Sequence, residues 1–283
     1  MRGVKTSAAL SVALVCAWLA AHADAAEFDG VRALAREKAA AVGILRHKAA
    51  NAVVTLAQDR SFVAYLNATT QGEGARLKIR IEQALATLSH RFGLGEIAMI
   101  DRSGEFVVRV GRGTTGGPGT TGEKADMRKL AAGFAQGPHR ISSTPVRQSG
   151  ASNWAISYVT PINWHDQNEF VLRAEQDGAA YQRVLALGSS PKRYVVLTDQ
   201  DGQVLSDSRP GHAGEAPLTV AGLSLQSLRQ ALGGNAEEGS GQVNRRDERF
   251  NVSYRMVDAW TVVVVEATSP LRRCAKNGGR LCG

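Results

Sequence analysis

Histidine beyond residue 25 occurs at His47, His90, His139, His165 and His212, and none sits in a His-Glu-x-x-His pair or at another metal-ligand spacing. The chain has no Gly-x-Ser-x-Gly turn to present a nucleophilic serine, and His165-Asp166 is a neighbouring pair that reads as an exposed loop. Gly111-Arg-Gly-Thr-Thr-Gly-Gly-Pro-Gly119 has the glycine content of a phosphate loop. It lacks Gly-Lys-Ser/Thr and does not open directly into a helix, so it reads as a plain loop or a lid. Cys274 and Cys282 enclose a short basic segment with two glycines, which predicts a disulfide in an exported chain; no histidine stands near them for a metal. Asn67-Ala-Thr69 and Asn251-Val-Ser253 are glycosylation patterns that matter only in a eukaryotic host. The chain is therefore read as a non-enzyme, with no cofactor and no metal.

The N-terminus predicts the compartment. Arg2 and Lys5 precede an apolar stretch from Ala8 to Ala21, and Ala23-Asp24-Ala25 supplies small residues for cleavage, so residues 1–25 read as a signal peptide. The stretch is short for a membrane span, although an uncleaved anchor is the alternative. Cys16 leaves with the leader. The location expected is periplasmic or secreted. In 283 residues, 43% are hydrophobic and 21% charged, enough for two modules with real cores. The net charge of +8 suits anionic surroundings or an acidic ligand. Its basic residues are scattered, with Arg245-Arg246 and Arg272-Arg273 the notable doublets, which excludes a nucleic-acid partner.

Val31, Leu34, Lys38, Val42, Leu45, Ala49, Ala52 and Leu56 step by threes and fours. They predict one amphipathic helix over about 28–66, interrupted on its apolar stripe by Lys38. Such a helix can run through two stacked modules or pair with its twin in a homodimer. A second helix is expected over about 75–92, completing an N-terminal stalk at 26–92. Two hairpins follow, Ile97-Ala-Met-Ile-Asp101-Arg-Ser-Gly104 and Val195-Val-Leu-Thr-Asp199-Gln-Asp-Gly202, with Asp and Gly repeating 98 residues apart. Aspartate caps the turn and glycine takes the positive φ. A second echo, Ile156-Ser-Tyr158 and Val252-Ser-Tyr254, is offset by 96 and extends the match. The expected fold is α+β: a long helix, then two modules at 93–188 and 189–268, each a mainly antiparallel sheet flanked by helices. A basic tail carrying the cysteine pair fills 269–283.

The long helix, the two Asp-x-x-Gly hairpins, Trp154-Ala-Ile-Ser-Tyr-Val-Thr-Pro161 and the closing Trp260-Thr-Val-Val-Val-Val-Glu266 resemble the double Cache, or PDC, extracytoplasmic sensor domains, which are PAS-like. The resemblance covers Phe28 to about Pro270. It implies a membrane-distal module that binds a small molecule, a membrane-proximal module and signal transduction through a separate receptor or kinase, since no output domain follows Glu266. The Arg-x-Trp-Tyr signature of amino-acid-binding members is missing around Asp126-Met-Arg128-Lys, and the strand that usually offers tyrosine and aspartate reads Pro145-Val-Arg147-Gln148. The ligand-binding residues that the resemblance leaves are Arg128, Arg140, Arg147, Gln148, Trp154, Tyr158 and Glu175. Guanidinium groups beside aromatic rings suit an anionic ligand such as a carboxylate. An exported solute-binding or interaction protein without a signalling role is the alternative.

Overall fold

The structure is a computed structural model. It describes residues 6–68, 71–111, 125–129, 131–132, 142–147, 154–164, 167–209, 217–233, 237–245 and 248–268. Cys274, Cys282 and residues 112–122 of the glycine-rich loop lie outside them. Three helices open the chain: α1 (Thr6–Ala57), α2 (Arg60–Leu66) and α3 (Gln71–Phe92). The helix expected over 28–66 is divided because Asp59 leaves helical geometry at φ −67° and ψ 129°, and its carboxylate accepts from the Ser61 N–H as the N-cap of α2. Among the described residues no helix is long and apolar enough to cross a membrane.

The chain clusters into two units, Ala41–Val184 and a second made of residues 1–40 with Leu185–Gly283. The first, called here the first module, holds strands β1 (Leu94–Asp101), β2 (Phe106–Gly111), β3 (Ser142–Arg147), β4 (Trp154–Trp164) and β5 (Gln167–Asp177). They form one antiparallel sheet in the order β2-β1-β5-β4-β3. Helical residues 125–129 and 131–132, taken together as α4, pack Met127 and Ala131 against Ala98, Ile100, Val159 and Val171 on one face. Helix α5 (Gly178–Ala186) serves the other face.

The second module repeats this plan with β6 (Arg193–Thr198), β7 (Val204–Asp207), β10 (Glu238–Arg245), β11 (Glu248–Val257) and β12 (Trp260–Thr268) in the order β10-β11-β12-β6-β7. Between them lie a two-stranded ribbon, β8 (Thr219–Val220) and β9 (Leu223–Ser224), and helix α6 (Leu225–Ala231). Leu225 and Leu228 of α6 cover Val196, Val252, Tyr254, Val263 and Val265, an apolar core closed on that face. The opposite face meets the first part of α1, where Arg32 Nη2 donates to Ser240 Oγ at 2.7 Å and Arg36 Nη2 to Glu238 Oε1 at 2.8 Å. Lys38, the charge in the apolar stripe, is 2% exposed and its ammonium reaches Glu37 Oε1 at 3.0 Å.

The two hairpins are the same object. Asp101 Oδ1 accepts from the N–H of Ser103 and Glu105, and Asp199 Oδ1 from Asp201 and Gln203. Gly104 and Gly202 sit at φ 85° and 84°, and each hairpin has its bulge at the equivalent step, Met99/Ile100 and Leu197/Thr198.

Glycine has a different role at Gly239, where an added Cβ would lie 2.6 Å from the Tyr254 ring. Gly239→Ala is expected to destabilise the protein by about 1–3 kcal/mol as the ring is displaced. Gly74→Ala on α3 meets nothing closer than 3.9 Å and is expected to be neutral or to stabilise by up to about 1 kcal/mol. Thermal unfolding of both variants checks the pair, and equal effects would show that the Tyr254 contact does not decide the residue at 239.

Candidate functional site

In a sheet, residues facing one another across strands share a face, and the next row faces the opposite way. In the first module the row Ala98–Arg173–Val159 and the row Glu96–Glu175–Ser157 both lie on the α4 face. Arg109 stands opposite Ala98 from β2 and joins them. This places two arginines and two glutamates on the face that elsewhere holds the small core under α4.

The four side chains bind one another. Arg109 donates through Nε and Nη2 to Glu96 Oε2 at 2.9 and 2.7 Å. Arg173 Nη2 is paired with Glu175 Oε1, its Nε donates to Ser157 Oγ at 3.4 Å, and its Nη1 stands 3.6 Å from Glu96 Oε1. Arg109 also lies over the Phe106 ring, 4.5 Å from its centroid. All four are well covered, with side-chain exposures of 11–17%. Burial pushes the Glu175 carboxyl above the ordinary carboxylate range; Arg173 and Arg109 oppose the shift and Glu96 adds to it.

Of the residues expected to bind ligand, Glu175 is in this quartet. Arg128 is on α4 but exposed, its Nε donating to the Ser103 carbonyl at 3.1 Å. Arg147 and Trp154 are a backbone pair at one end of β3–β4. Arg140 and Gln148 lie outside the described residues. Tyr158 is fully buried on the α5 face. Its hydroxyl donates to Gln176 Oε1 at 3.0 Å and lies 2.8 Å from the Tyr181 hydroxyl, itself 2.7 Å from the same oxygen. Gln176 Nε2 donates to the Phe92 carbonyl at 3.4 Å. Burial raises the Tyr158 hydroxyl to about 12, against the lowering effects of the Tyr181 bond and the Arg46 charge, so it is a neutral structural group.

The second echo accounts for the difference. Counting from the hairpins, Ile97 corresponds to Val195, so the row Ile97–Ala174–Tyr158 corresponds to Val195–Val264–Ser253. Tyr254 instead occupies the next row, with Val263 and Val196, and faces α6. The Ser-Tyr echo is thus one residue out of structural register, which reverses the face. The same correspondence pairs Arg173 with Val263, and Glu175 with Val265. Glu96, Arg109 and Arg173 were missed by sequence reasoning. Their signal is Arg173 and Glu175 at alternate positions of a strand whose equivalent reads Val263 and Val265.

No family model matches the chain, and no curated protein does. Among solved structures, the chain is similar to the sensory domain of the Campylobacter jejuni chemoreceptor Tlp3 with isoleucine bound, at 13% identity and TM-score 0.65, over 86% of this chain and 93% of that one. The ligand-binding domain of the same chemoreceptor in complex with L-valine gives 13% identity and TM-score 0.66 over the same shares. The sensor domain of the V. cholerae histidine kinase DctB gives 15% identity and TM-score 0.58, over 86% of this chain and 98% of that one. With its long first helix and two helix-flanked antiparallel sheets, the chain has the fold of the double Cache, or PDC-type, sensory domains.

Proposed function

We propose that the first module binds a small organic acid, amino acids included, on the α4 face of its sheet, and that the chain works as an extracytoplasmic sensor domain signalling through a separate membrane partner. The observation that carries this reading is Arg173 and Glu175, paired with Glu96 and Arg109, at two positions that the second module fills with Val263 and Val265; Glu96 and Arg109 correspond to Tyr194 and Asp207. An apolar pair at these positions is compatible with the sheet, since Val263 and Val265 are fully buried in a closed core. Replacing buried ion pairs by apolar residues is often neutral or stabilising, so fold stability alone gives little reason to keep them. Recognition does: arginines offer forked donors to a carboxylate, and glutamates offer acceptors to an ammonium.

The chemoreceptor domain similar to this one binds isoleucine and L-valine, which supports a ligand bearing both charges, while the histidine kinase sensor domain supports a signalling role. Arg128 on α4, with Arg140, Arg147, Gln148 and Trp154 near β3 and β4 in sequence, completes the proposed site. Tyr158 holds the sheet from behind. The leader pattern at residues 1–25 supports export.

A thermal-shift panel of acetate, succinate, citrate, L-isoleucine, L-glutamate and phosphate tests the reading. A ligand at a hundred times its Kd adds about 2.7 kcal/mol, a rise of several degrees. Arg173→Gln and Arg109→Gln, each compared with its own ligand-free baseline, are expected to abolish the rise. A ligand that stabilises both variants as well as the parent would place binding elsewhere.

The quartet also sets a pH signature. Because the folded protein resists ionisation of Glu175, the stability linked to this group is present below the ordinary carboxylate range and is lost as pH rises through the raised value. Glu175→Gln lacks that loss. The Tm of the variant minus that of the parent is expected to become more positive from about pH 4 to about pH 7. A difference moving the other way would mean that Arg173 and Arg109 outweigh the burial.

A further inference from the structure

The Arg173 guanidinium has its weakest partners at Nη1. Its Nη2 faces Glu175 and its Nε faces Ser157, but the described groups nearest Nη1 are the Met127 Sδ at 3.7 Å and Glu96 Oε1 at 3.6 Å, the latter too far for a good hydrogen bond. A thioether is a weak acceptor, and a guanidinium N–H that is only 11% exposed gains far more from an anionic oxygen. Met127 is itself 7% exposed and comes from α4, where it rests with Ala131 on Ala98, Ile100, Val159 and Val171. Methionine is the side chain best able to leave such a position, being unbranched and adaptable.

We infer that the Met127 thioether is a placeholder on Arg173: an acid ligand sets one carboxylate oxygen on Nη1, displaces Sδ and thereby shifts the contact by which α4 rests on the sheet. The inference depends on the ligand reading above and deepens it, because it names the atom that receives the acid and the side chain that reports its arrival. Occupancy and the position of α4 are then linked, as a sensor requires, since a ligand alters a conformational equilibrium only through contacts that differ between the two states. Selectivity follows as well. A neutral apolar ligand can displace Met127 from the core but gives Arg173 nothing in return.

Two substitutions separate this role from packing. Met127→Leu keeps the size and apolar contacts without the sulfur, and Met127→Gln puts an amide oxygen, a full acceptor, where the thioether was. With acetate, succinate, citrate, L-isoleucine and L-glutamate as probes, an acid that stabilises the parent is expected to bind Met127→Leu at least as well. It is expected to bind Met127→Gln about tenfold more weakly, with both variants folded by circular dichroism. In protein carrying isotope-labelled methionine methyls, the same acid is expected to move the Met127 resonance and leave that of Met256, in the second module, in place. An acid that stabilises parent and both variants alike, with the Met127 resonance still, overturns the placeholder and leaves the ligand site standing. If no probe stabilises the parent or moves the Met127 resonance at millimolar concentration, both inferences fall together.

Discussion

The carboxylates of Asp101 and Asp199 set the register on which everything else in the two sheets depends. Each gathers two backbone N–H groups at the mouth of its hairpin, and the following glycine closes the turn at positive φ. The bulge lands at the same step in both. Because side chains alternate with a period of two, this local arrangement decides which residues of β1 and β6 face α4 and α6, and the neighbouring strands inherit the decision by pairing. A slip of one residue would turn Glu96 out of the quartet and Val196 out of the core.

With register shared, the modules differ in what they place on equivalent positions. The second module treats its α6 face as a core, and Val196, Val263 and Val265 are lost to water there. The first module assigns Arg173 and Glu175 to the corresponding positions and leaves a smaller apolar cluster under α4. Its other face carries the buried Leu172, Ala174, Ile97 and Met99 together with the hydrogen-bonded Tyr158 and Gln176. The sheet is thus anchored from the α5 side, which frees the α4 side to carry groups that a core would exclude.

What could be read from the chain follows the range of the interactions involved. The hairpins were legible because turn chemistry is local, and the pair of antiparallel sheets because the hairpin recurs 98 residues on. The division of the first helix at Asp59 was not, since Val53, Leu56 and Phe62 continue an apolar rhythm across a cap that only backbone geometry reveals. Tyr158 was placed at the site by the family resemblance, and the tripeptide echo that accompanied it could not fix its face, since a single-residue offset inverts the face. Arg173, Glu96 and Arg109 went unseen because a charge in a strand ordinarily means solvent. Only the pairing of β1, β2 and β5 brings them together.

The balance of charge in the quartet also bears on how a ligand enters. Two arginines and two glutamates pair with one another, so their formal charges cancel. On the proposed reading, a carboxylate that reaches beyond Arg173 Nη1 must better the Arg–Glu contacts it loosens, and a cation must do the same for the glutamates. A molecule with a single charge leaves its displaced partner short of a bond in a poorly solvated place, which is costly. A zwitterion satisfies both sides at once. For the ligand proposed here, the balance of charge favours a zwitterion over a molecule of one charge.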